Sequence, residues 1–137
     1  MNQQQVNKLL GILLLAFCVI GATWGILRQN SLKKKNKIGT CRTTAFTSNG
    51  RGNEGGIWID YILGLNGEEY KGSSRYLTSE ITSDDLQNFI LHKTFPVAYN
   101  PSNPSVSSIL ITPKDFSRYG YPFPDSLKWV LQYFNEN

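Results

Sequence analysis

Negative charge is absent from the first 37 residues, and charge of either sign is absent between Leu9 and Leu27. Histidine occurs once, at His92, and cysteine twice, at Cys18 and Cys41. Each scarcity closes off a class of chemistry. Cys18 lies inside the apolar run and Cys41 beyond it, so there is no disulfide framework and no C-x-x-C metal or redox site. A free Cys41 suits a reducing compartment. No H-E-x-x-H, P-loop or G-x-S-x-G string occurs. Any imidazole base must be His92, which sits in Ile90-Leu91-His92-Lys93 at the end of a predicted helix, where a surface role compatible with the helix dipole is the simpler reading. Asp84 and Asp85 are adjacent and point to different sides of a helix, which suits capping rather than paired-carboxylate catalysis. No catalytic residue, cofactor site or metal ligand is assigned, and the expectation is a protein that is not an enzyme.

What the chain does have is the uncharged run Leu9 to Leu27. As a helix it would be about 28 Å long, close to the hydrocarbon thickness of a bilayer. Trp24 stands near its end, where an indole N–H can reach headgroups. Two alternatives compete: a cleaved secretory signal, with Gly21, Ala22 and Thr23 as a weak cleavage site, and a lipoprotein signal at Cys18, where Phe17 is larger than such a site accepts. The preferred division is a short head (1–8), a transmembrane helix (9–27), a basic juxtamembrane linker (28–37) and a soluble domain (38–137) ending in a helix over 125–135.

Arg28, Lys33, Lys34, Lys35 and Lys37 follow the span, against Lys8 and the amino terminus before it. The positive-inside bias places the soluble domain in the cytoplasm on the inner membrane; a periplasmic domain is the alternative. Within the span Gly21 and Gly25 form a small-x-x-x-small pair, a face through which the anchor could pair with a second helix. Residues 1–37 hold six of the fourteen Lys and Arg and no acid, which leaves eight basic against ten acidic residues in 38–137, a net of −2. The basic pI therefore reports topology and gives no argument for nucleic acid.

Beyond the linker the composition is β-rich. Strands are predicted over 38–47 and 57–63, with the glycine-rich segment 48–56 between them. Gly50 to Gly55 matches G-x-G-x-x-G, but the motif must open a helix to hold a pyrophosphate, and a strand follows here. Asn66-Gly67 signals a tight hairpin returning as a third strand, Glu68 to Leu77. Ser83, Asp84 and Asp85 ahead of Leu86, Phe89 and Ile90 predict a capped helix of about two turns. Further strands are predicted over 95–99 and 107–112, and a turn or single helical turn over 114–120. Leu127, Val130, Leu131 and Phe134 then mark one face of a C-terminal amphipathic helix. Trp129 and Tyr133 on its flank suit core rim, membrane-interface contacts or a partner site, with core rim preferred. The expected fold is a single transmembrane helix plus a small mainly-β domain, about five antiparallel strands in a partly closed barrel or sheet.

The stretch Val97-Ala98-Tyr99-Asn100-Pro101-Ser102-Asn103-Pro104 resembles a signature of the small bacterial membrane proteins grouped as domain of unknown function 3592, in which a strand runs into Tyr-Asp-Pro-x-Asn-Pro. Tyr99, Asn100, Pro101, Asn103 and Pro104 carry the match, with Asn100 where Asp is usual. The resemblance covers roughly residues 37 to 113. It implies a small β domain and a bacterial membrane location, with no established activity. Read physically, Asn100 can bond its own turn backbone while both prolines fix φ.

These readings converge on a non-enzymatic single-pass membrane protein, an interaction module or accessory subunit whose partners are the bilayer and either another protein or a second copy paired through the anchor. A ligand-sensing or small-molecule-binding β domain is the alternative, suggested by the glycine loop and by Trp58, Tyr61, Tyr70 and Tyr76.

Overall fold

The computed structural model describes residues 3–49, 56–78 and 81–134. The apolar run lies in helix α1 (Gln3–Lys34), 32 residues and roughly 48 Å long. Among the described residues it is the one helix long and apolar enough to cross a membrane. The helix outlasts the apolar run. The basic segment expected to be a tether is helical as far as Lys34, and only Lys35 and Asn36 separate it from strand β1 (Lys37–Asn49). Two causes are visible: Lys33 and Lys34 lie in the last turn, where cations favour the dipole, and Leu32 is buried against the domain.

The rest of the chain forms β2 (Gly56–Leu65), β3 (Glu68–Leu77), a short helix α2 (Ser83–Asp85) continued by a π-helical turn (Leu86–Ile90), β4 (Thr94–Asn100), β5 (Asn103–Ile109), α3 (Pro113–Arg118) and a 3-10 helix (Asp125–Gln132). The five strands are antiparallel in the order β3-β2-β1-β4-β5 and curl into a nearly closed barrel, as the sequence led us to expect. Alternation in β2 turns Ile57, Ile59, Tyr61 and Leu63 inward. They meet Phe95 and Val97 of β4, Ile109 of β5, and residues from the helices that include Ile90, Phe116 and Val130. The β2–β3 turn has positive φ at both Asn66 and Gly67, the geometry its sequence demands. A bulge at Thr44 shifts the parity of β1, so that Cys41 and Thr43 are buried before it and Phe46 packs on the core after it.

Four local expectations change. The cap of α2 is Thr82 rather than Ser83; its hydroxyl accepts from the Asp85 N–H while the Asp85 carboxylate accepts from the Thr82 N–H. The helix then widens into a π turn whose end is held by Thr43, which donates its hydroxyl to the Ile90 carbonyl and accepts from the Lys93 N–H. The fifth strand starts at Asn103 instead of 107 and takes in Pro104. β5 pairs only with β4, and a one-sided strand tolerates a residue lacking an N–H. The C-terminal helix is 3-10, entered through Pro124 without a side-chain cap, although Asp125 pairs with Lys128 at 2.8 Å. At three residues per turn Leu127 and Val130 share the inner face, and Leu131 rotates out to 47% exposure.

Candidate functional site

The barrel fails to close between β3 and β5, since neither strand has a ladder partner on that side. Side chains bridge the seam instead. Tyr61 lies opposite Gly72 of β3, and a Cβ there would come closer than 3.0 Å to the Tyr61 ring. Only glycine lets the ring lie across β3 and bring its hydroxyl within 3.2 Å of the Ser107 hydroxyl on β5. Burial raises the Tyr61 phenol above its ordinary range, and hydrogen bonds from Ser107 and Ser74 oppose that rise.

A second bridge centres on Asp115. Its Oδ2 accepts from the Ile111 N–H (3.0 Å), the Thr112 N–H (2.9 Å) and the Tyr76 hydroxyl of β3 (2.9 Å). The Thr112 contact is half of a capping box, with Thr112 as N-cap of α3 and Pro113 in its first turn, and the Ile111 and Tyr76 bonds are additional to it. Burial, reinforced by the neighbouring Asp115 charge, holds the Tyr76 phenol well above its ordinary value.

Outside these bridges a cavity of about 600 Å³ runs along the seam. Exposed Lys71 and Arg75 line it from β3, Arg118 from α3 and Arg28 from α1; Ser73, Ser74, Ser105, Ser107 and Ser108 line the strand edges. Its one acid is Asp115, whose accepting oxygen already serves the three donors named above. None of the four cations pairs with a described acid. Trp58 and Tyr76, from the ligand-binding reading, also line the cavity, whereas Tyr61 is a buried bridging residue and Tyr70 is half-buried on β3.

The membrane-flanking cations separate into two groups. Lys33, Lys34, Lys35 and Lys37 are exposed. Arg28, exposed as well, donates from Nη2 to the Ser105 carbonyl at 2.8 Å, occupying an acceptor of β5. One turn on, Ser31 accepts from the Asn100 amide at 2.8 Å, and Leu32 is buried. The proline turn therefore receives the end of α1. Asn100 Oδ1 accepts from the Ser102 N–H as expected, Tyr99 packs its ring over Gly39, and Pro101 and Asn103 are exposed. Gly21 and Gly25 have open space where a Cβ would stand, so this chain leaves the face uncovered. The G-x-G-x-x-G string, 50–55, lies outside the described residues.

His92 is exposed with φ +59 and, with Cys41 and Glu69, lines a shallow depression. No hydrogen bond joins the three among the described residues. Burial pushes the Cys41 thiol up to about 12, the reverse of what activates a nucleophile. Sequence reasoning missed the seam cations and the Tyr61–Gly72 pair. The available signals were a glycine inside a strand and the serine-rich segments 72–74 and 105–108. Comparison with family models, curated proteins and solved structures returned no match.

Proposed function

We propose that this chain is a non-enzymatic, single-pass protein of the inner membrane, an interaction module or accessory subunit whose β domain stands on the cytoplasmic face. The observation that carries the reading is the joint between α1 and the barrel. A flexible tether would let the domain reorient freely. Here the helix passes from the apolar run into the domain without a break and is held by Arg28, Ser31 and Leu32. Such a joint fixes the domain's orientation to the bilayer, which serves a component that must present one surface to a neighbour. Lys33 to Lys37 supply the positive flank that favours the cytoplasmic side. Gly21 and Gly25 offer the bare face on which another helix, or a second copy, could pack closely.

A thiol introduced at exposed Ser126 in a Cys18→Ser background tests the topology, because buried Cys41 contributes no background. A membrane-impermeant maleimide added to intact cells should leave it unlabelled until the cells are opened. Labelling of intact cells would reverse the orientation. Affinity capture in mild detergent should recover a second membrane protein or a dimer; recovery of the monomeric chain alone would count against the module. The second reading, a ligand-binding domain, is favoured by one observation, the charged seam cavity.

A further inference from the structure

The seam cavity concentrates charge against the trend of the domain that holds it. Residues 38–137 carry a net −2, yet the lining brings Lys71, Arg75 and Arg118 together with Arg28 and a single acid. Cations on an unpaired strand edge discourage edge-to-edge aggregation, which would account for the pair on β3. It does not account for Arg118 and Arg28, which reach the same space from α3 and α1. Four cations against one carboxylate leave the lining net positive. Serine hydroxyls on both edges add neutral donors. The volume, about 600 Å³, is that of a small-molecule site.

Position adds the remaining constraint. Arg28 is the first residue after the uncharged run, so on the reading that α1 is a retained anchor the cavity sits at headgroup depth. We propose that the seam cavity binds a phosphate group, as a mono- or diester, through Arg75, Arg118 and Lys71, with Arg28 at its membrane side. Arg75 and Arg118 are exposed, and guanidinium groups bordering one cavity from separate elements can give the tetrahedral oxygens of phosphate charge-assisted, partly bidentate bonds. The phosphate could arrive on an anionic lipid headgroup or on a soluble molecule, and the recognising chemistry is the same.

The test uses the full chain in a neutral detergent. In one arm inorganic pyrophosphate is titrated calorimetrically at constant ionic strength; in the other, phosphatidylglycerol is added and retained lipid is counted by native mass spectrometry. The paired substitution Arg75→Gln with Arg118→Gln should weaken whichever probe binds by about tenfold or more. Arg42→Gln with Lys93→Gln removes equal charge outside the cavity and should change binding less than about twofold. Pyrophosphate binding without lipid retention assigns a soluble source, and lipid retention without pyrophosphate binding assigns the headgroup. Binding of neither probe, or equal loss in the two paired variants, overturns the proposal. If the first pair unfolds the domain, Lys71→Gln set against Lys93→Gln makes the comparison at one charge each. Failure here would leave the topology and capture results untouched, so the two readings fall separately.

Discussion

Replacing Gly72 by alanine should destabilise the domain although it improves the local backbone. In a strand interior the exchange by itself gains about 0.5–1 kcal/mol from reduced chain entropy and better propensity. Against that, the new Cβ meets the Tyr61 ring closer than 3.0 Å, and Tyr61 is 1% exposed with no solvent to retreat into. Overpacking of this kind costs about 1–3 kcal/mol, and losing the Tyr61–Ser107 contact adds about 1 kcal/mol. The net is a loss of about 1–3 kcal/mol, or a fall in Tm of roughly 4–8 °C per kcal/mol for a domain of about a hundred residues. Urea or thermal unfolding of the full chain in detergent, followed by circular dichroism, measures it. The decisive control is background: Tyr61→Leu removes the ring, so Gly72→Ala should cost less there than in the parent. Equal cost in both backgrounds, or no cost in the parent, would refute the account of how the seam is held.

The Cys41 thiol, raised from 9.0 to about 12 by burial, gives a signed pH dependence. The unfolded chain ionises first, so the thiol's contribution is constant below pH 9 and then falls by about 1.4 kcal/mol per pH unit toward 12, with Tyr61 and Tyr76 adding to the loss above their ordinary range. Cys41→Ala should flatten the slope just above pH 9; an unchanged slope would remove the thiol as its cause. Leu127→Ala should cost about 2–5 kcal/mol and Leu131→Ala under about 0.5 kcal/mol, whereas a regular α-helix would make both expensive. Asn100→Ala removes bonds to Ser102 and Ser31 and should cost about 1–3 kcal/mol. In a double-mutant cycle Ser31→Ala should couple to it, and additive costs would show that the helix-to-turn bond contributes nothing.

Legibility followed the range of the interactions involved. The Asn66-Gly67 turn and β3 were readable to the residue because positive φ at two adjacent positions is a local demand that few sequences meet. The uncharged run was equally plain, since its length and hydropathy are properties of contiguous residues. Errors appeared where a partner elsewhere in the chain decided the outcome. The C-terminal spacing suits an α-helix, but Thr78 pairs with Phe134 and Tyr76 packs edge-on to the same ring at 5.5 Å, and the segment is wound as a 3-10 helix. The basic segment looked like a tether because its own residues carry no apolar stripe. Its helix is held by Ser105, more than seventy positions later.

The sequence by itself determined an apolar helix with a positive flank, a five-stranded antiparallel domain and the main turns, because hydrophobic period and turn chemistry act over a few residues. Only the tertiary structure decided how the domain meets its helix and where its charges gather. Arg28, Lys71, Arg75 and Arg118 lie on three elements far apart in sequence, and nothing in their spacing predicts that they share one cavity. They converge because the barrel leaves its edge strands unpaired on the side where α1 docks.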